Sequence, residues 1–143
     1  MQFLKYFRLT PCVIQKTCYI ITWQKINDKE TMDISFATKE LKKCGNSVQY
    51  AHKKLGAPRA EIFFKRIQTL YAATCFEDLR HAPGKFHELR ENRKGQWACD
   101  LDQPYRLIIS PAVLPDVDKN GRYRWESATD SVVVEIINYH KER

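Results

Sequence analysis

The sequence predicts an α+β fold: two N-terminal helices packed on one face of a small, mainly antiparallel four- to five-stranded sheet. Two observations predict it. Apolar residues recur at helical 3-4 spacing between residues 41 and 71, and β-prone runs separated by turn residues follow from Phe86 to the end. Helices grouped ahead of a run of strands place them on one face of an antiparallel sheet, not in alternating crossovers.

The elements follow in order. A short strand opens at Met32 in MDISF, with Ile34 and Phe36 on one face. Thr38 can cap the next helix, in which Leu41, Cys44, Val48, Ala51 and Leu55 make one apolar stripe over four turns. Gly45-Asn46 weakens that helix in its middle, and Gly56-Ala57-Pro58 stops it. A second helix starts near Pro58 and runs to about Ala73, with Phe63, Ile67, Leu70 and Tyr71 inward. Thr74-Cys75-Phe76-Glu77 reads as a capping box for one more short turn, which Pro83-Gly84 ends. Strands are expected over 86–90, 96–101, 105–110 and 131–140, with a hairpin turn at 92–95 and another at Asp102-Gln103-Pro104. Residues 111–130 are polar, contain Pro115 and Asn120-Gly121, and read as a long loop.

A chain of 143 residues is one domain by its length, with a core large enough to need no staples. Its five cysteines, Cys12, Cys18, Cys44, Cys75 and Cys99, are odd in number and form no CxxC pair, which argues against a zinc site or a disulfide framework. Near the start, Lys5 and Arg8 precede an apolar run, but Gln15 and Lys16 interrupt it and no small-residue cleavage site follows. No run approaches a membrane span. The chain therefore reads as cytoplasmic.

Net charge is +7, which points towards polyanions. Residues 1–31 hold five basic and two acidic residues, leaving 19 basic and 15 acidic, or +4, for residues 32–143. The part from His81 onward is close to neutral, so any grip on RNA depends on the placement of a few cations. A lysine-rich helical face, Lys39, Lys42, Lys43, Lys53 and Lys54, lies opposite the apolar stripe. It is either an ordinary solvated face or a docking surface for ribosomal RNA.

RNA can be cut without metal when its own 2′-hydroxyl attacks the adjacent phosphorus. The reaction needs a base, an acid at the leaving 5′-oxygen, and positive charge on the pentacovalent phosphate. His140, beside Tyr139 at the end of the last strand, is the best candidate acid or base. Arg93 and Arg106 are the best transition-state cations, because guanidinium is permanently charged and engages two oxygens at once. Arg90 and Lys94 suit substrate positioning, and His87 can enter the cleft from the first hairpin strand. Each has a bland counterpart. Arg106 could pair structurally with Asp100 or Asp102, Arg93 and Lys94 could be solvated turn charges, and Trp97 is core before it is a base-stacking platform. No metal-ligand set or phosphate-cradling glycine loop is visible, so no cofactor is expected.

These elements resemble, in order, the RelE/ParE superfamily of toxins, most closely its HigB-like "killer protein" branch. The branch pattern is H-x-L-(x)n-R-K-G-x-W, then P-Y-R-[LI]-I, then a closing strand ending in Y-H. Here it is met by His87-Glu88-Leu89, Arg93-Lys94-Gly95-Gln96-Trp97, Pro104-Tyr105-Arg106-Leu107-Ile108 and Tyr139-His140. The resemblance covers residues 32–140 and implies a RelE-like domain over 32–143. Residues 1–31 then form an N-terminal extension, with a β-prone run at 18–23, or lie upstream of a natural start at Met32, the reading preferred here. The resemblance implies the toxin of a type II toxin–antitoxin pair, a metal-independent mRNA endonuclease that inhibits translation on ribosomes. It further implies a helix-turn-helix (HigA-like) antitoxin as partner, operator DNA reached only through that antitoxin, and a cleft on the exposed sheet face. Its basic residues and Tyr139 would bind substrate there. The chain departs from the pattern at Arg90-Glu91-Asn92, where the branch often has Lys-Gly-Asp; Glu91 adds an acid near the phosphate path. Two alternatives keep the fold: a ParE-like DNA gyrase inhibitor, against which the Tyr139-His140 ending argues, and an inactive interaction module.

Overall fold

The computed structural model describes residues 31–139. Five strands form a single mixed sheet: β1 (Asp33–Phe36), β2 (His87–Glu88), β3 (Trp97–Asp100), β4 (Tyr105–Pro111) and β5 (Asp130–Asn138). Their spatial order is β1-β5-β4-β3-β2, with β1 parallel to β5 and every other pair antiparallel. Three helices, α1 (Lys39–Asn46), α2 (Val48–Leu55) and α3 (Ala57–Ala72), come between β1 and β2. Their buried residues Leu41, Cys44, Ala51, Phe63, Ile67 and Leu70 join Ile34, Trp97, Cys99, Leu107, Ile109 and Val133 in one core. The α+β class follows as predicted; the sheet is mixed, with β1 parallel to β5, and the helices number three where two were expected.

The first predicted helix is two helices, because Ser47 interrupts it. Ser47 is extended (φ −145, ψ 122); its N–H closes α1 onto the Lys43 carbonyl, and its Oγ accepts the Tyr50 N–H that opens α2. A serine able to cap in both directions competes with helix continuation. Gly45, just before the break, allows close packing: a Cβ there would stand 2.6 Å from the Phe36 ring. Of the predicted stripe, Val48 is half-buried and outside the core cluster.

Other boundaries also move. The expected capping box does not form, since the 3₁₀ turn Phe76–His81 begins after Cys75 and Thr74 N–H donates to Asp78, not Glu77. The first hairpin strand shrinks to the two residues of β2. Its connection to β3 contains the 3₁₀ turn Glu91–Arg93 and Gly95 at φ 92. The polar stretch 111–130 is more than a loop. Trp125, 1% exposed, packs from it against both Phe76 and Trp97, with ring centroids at 5.6 and 5.3 Å. Its Nε1 donates to Glu88 at 3.1 Å. Aromatic burial of this size outweighs the local polarity that marked the segment as loop.

The sheet face away from the helices carries a second, small apolar cluster, Ala98, Ile108 and Ile137, with Leu89 and Val134 packed beside it. A register shift gives this face its character. Ile109 pairs with Val133 but Ile108 with Glu135, so Val134 is the extra residue of a bulge. Val133 and Glu135 are two apart and would otherwise share a face. With the bulge, Val133 enters the core and Glu135 joins the helix-free face.

Candidate functional site

Alternation along β3 and β4 sends Trp97, Cys99, Leu107 and Ile109 into the core. The residues between them, Ala98, Asp100, Arg106 and Ile108, therefore point to the other side. There the structure forms an open groove of about 350 Å³. Ala98, Ile108 and Ile137 make an apolar floor, and Arg90, Arg93, Arg106 and Tyr139 stand around it. Four of the sequence-predicted residues are thus brought together from the β2–β3 connection, β4 and the end of β5.

Arg106 is held on two sides. Its Nε lies 3.4 Å from Asp100 Oδ1, its direct cross-strand neighbour. Its guanidinium carbon sits 4.2 Å from the centroid of the Tyr139 ring. Of the two acids that could pair with it, Asp100 does so. Asp102 is taken by Arg59, through Nε at 2.8 Å and a second nitrogen at 3.3 Å. Stacking on an aromatic face fixes the plane of the guanidinium fork.

Arg93 is no freely solvated turn charge. From the Glu91–Arg93 turn it donates to Glu135 at 2.6 Å and to Gln96 at 3.3 Å, clamping the β2–β3 connection to β5. Sequence reasoning missed Glu135, although a lone acid inside the apolar run Val132-Val133-Val134-Glu135-Ile136-Ile137 was a visible signal. Glu135 pairs with Arg93, Asp100 with Arg106, and Glu91 lines the groove, so three acids balance the three guanidiniums.

Arg90 is exposed and also borders a neighbouring hollow of about 430 Å³, into which His87 and Lys94 fall. His87 Nδ1 is 2.8 Å from the Lys85 carbonyl oxygen, which can only accept, so this nitrogen is the donor. Lys94 lies 5.8 Å from the Tyr123 ring centroid. Neither lines the main groove. Trp97 is fully buried, which removes it as a base-stacking platform. His140 lies outside the described residues.

Beneath the groove, burial pushes the Cys99 thiol from its ordinary 9.0 to about 12, with Asp100 adding to the effect and Arg66 opposing it. It is an inert core group, and the Cys44 thiol is likewise raised, chiefly by burial. Among the described residues, no group of three His, Cys, Asp or Glu side chains could hold a metal ion. No described helix is long and apolar enough to cross a membrane. No protein-family model matches the chain, and no curated protein matches it.

Proposed function

We propose that this protein is a RelE-like toxin of the HigB-like branch: a metal-independent, ribosome-dependent mRNA endonuclease of a type II toxin–antitoxin pair, acting in the cytoplasm. The observation that carries the reading is the gathering of Arg90, Arg93, Arg106 and Tyr139 around one groove on the helix-free face. The ordered motifs of the sequence support it. In this reading the apolar floor receives sugar and base, and Arg93 and Arg106 meet the phosphate as its charge grows. Arg90, with His87 and Lys94 from the adjoining hollow, positions the flanking strand. His140, next in sequence to Tyr139, takes the acid or base role on sequence grounds. A helix-turn-helix antitoxin is the expected partner, and operator DNA is reached through it.

A specific observation favours a second reading, a non-catalytic binding module such as a gyrase inhibitor. Both principal cations are paired, Arg93 with Glu135 and Arg106 with Asp100, and a paired cation serves a rigid interface as well as a reaction. One experiment separates the two. In a purified translation system, 5′ ends of mRNA are mapped with and without ribosomes. The nuclease reading expects new ends only with ribosomes, and a His140→Ala protein should lower cleavage about 10²–10⁴-fold with folding intact. Absence of new ends, with translation or gyrase still inhibited, would establish the binding module instead.

A further inference from the structure

Within residues 32–143, the excess of positive charge lies on α1 and α2 and not at the groove. Residues 39–55, spanning α1 and α2, hold Lys39, Lys42, Lys43, Lys53 and Lys54 against the single acid Glu40, a balance of +4. Residues 32–143 as a whole also carry +4, so the remaining 14 basic and 14 acidic residues cancel. All five lysines are exposed. The inner sides of the two helices, Leu41, Cys44 and Ala51, are committed to the core, which leaves the lysines turned away from the sheet and its groove.

Folding joins the two helices into one basic surface. The Lys43 and Lys54 ammonium groups, one from each helix, lie 5.8 and 5.9 Å from the centroid of the same Tyr50 ring. Lys54 also meets Glu40 at 3.3 Å, a pair about half-exposed on both sides and therefore weak. Like charges gathered this way repel one another, and a bound polyanion would relieve that repulsion.

We propose that the α1–α2 surface is a second binding face, separate from the groove, that grips the phosphate backbone of folded RNA. Lysine ammoniums are mobile point charges that suit phosphates and carry no sequence information. Among the described residues, the large exposed hydrophobics are Val113, Leu114, Val117 and Tyr139, none of them on this surface. It therefore lacks the apolar side chains that would anchor it in a bilayer. The choice of RNA over another polyanion rests on the nuclease reading above; the charge asymmetry itself does not.

The test uses the full chain and a variant with Lys39, Lys42, Lys43 and Lys53 all changed to Gln. A labelled RNA hairpin with a long stem is titrated across a salt series, beside a DNA hairpin of matched sequence and anionic phosphatidylserine vesicles. The variant should melt as the parent does and bind the RNA hairpin at least about tenfold more weakly near 0.1 M salt. Its log–log salt slope should be shallower by roughly 0.7–0.9 for each phosphate that the variant no longer neutralises. Unchanged affinity and slope would overturn the proposal. So would equal or tighter lysine-dependent binding to the DNA hairpin or the vesicles, which would assign the face to that partner. The assay reads binding alone: absent mRNA cleavage with intact hairpin binding would sink the nuclease reading and leave this face standing.

Discussion

Arg106 stacks on Tyr139, its guanidinium carbon 4.2 Å from the ring centroid, while Asp100 holds its Nε from the neighbouring strand at 3.4 Å. The ring comes from the last described residue and the acid from β3, so the side chain ties the end of β5 to the middle of the sheet. It therefore has both a structural and a functional role to test.

Arg106→Ala is expected to reduce cleavage by about 3–4 kcal/mol in the barrier, the usual loss for one transition-state donor. The melting temperature should fall only slightly, because a pair about a quarter exposed at Arg106 contributes of order 1 kcal/mol or less. Arg106→Lys should rescue activity in part, since a point charge lacks the planar fork. Kinetics and melting on the same preparations check this. Wild-type cleavage by the Ala variant would remove Arg106 from the site.

Glu135→Gln keeps the shape of the Arg93 partner and removes its charge. The groove gains one net positive charge, so RNA affinity should rise severalfold, with a steeper salt dependence. Stability should change by less than about 1 kcal/mol, because the Arg93–Glu135 pair is about one-third to two-fifths exposed. Fluorescence titration at two salt concentrations measures both effects. An unchanged affinity would mean that RNA does not pass Arg93.

Trp125→Ala should cost about 3–5 kcal/mol, the range for deleting a large buried aromatic side chain. Trp125→Phe keeps most of the packing against Phe76 and Trp97 but loses the hydrogen bond to Glu88, and should cost less. Urea unfolding midpoints give the ranking. A near-neutral Trp125→Ala would show that residues 111–130 form a loop laid over the core.

Alkaline pH provides a test at Cys99. In the unfolded chain its thiol ionises from about 9, but in the fold it stays protonated until about 12. Above pH 9 the unfolded state therefore holds fewer protons, and this group's contribution to stability, full below pH 9, declines as pH rises towards 12. The slope is about 1.4 kcal/mol per pH unit for one group. Cys99→Ala should lose stability more slowly than the parent between pH 9 and 11, as measured by denaturant unfolding at each pH. Parallel pH profiles would contradict the burial of this thiol.

The class of fold, the long helix α3 and the middle strands were legible in the sequence. Helical and alternating periodicities are set locally, and each residue declares its face through its own hydrophobicity. Alternation also turns Arg106 to the side opposite Leu107, whereas the gathering of Arg90 and Arg93 beside it was expected only from the family resemblance. Three things were decided only by tertiary structure. Ser47 broke a helix whose apolar stripe ran on past it, because its side chain caps the start of α2 while its backbone N–H closes the end of α1. Trp125 left an apparent loop for the core, because Phe76 and Trp97 come together as one aromatic surface only in the folded chain. The bulge at Val134 turned Glu135 out of the core and set it against Arg93. A pairing register depends on two strands at once, so no reading of β5 by itself could place that carboxylate among the cations of the groove.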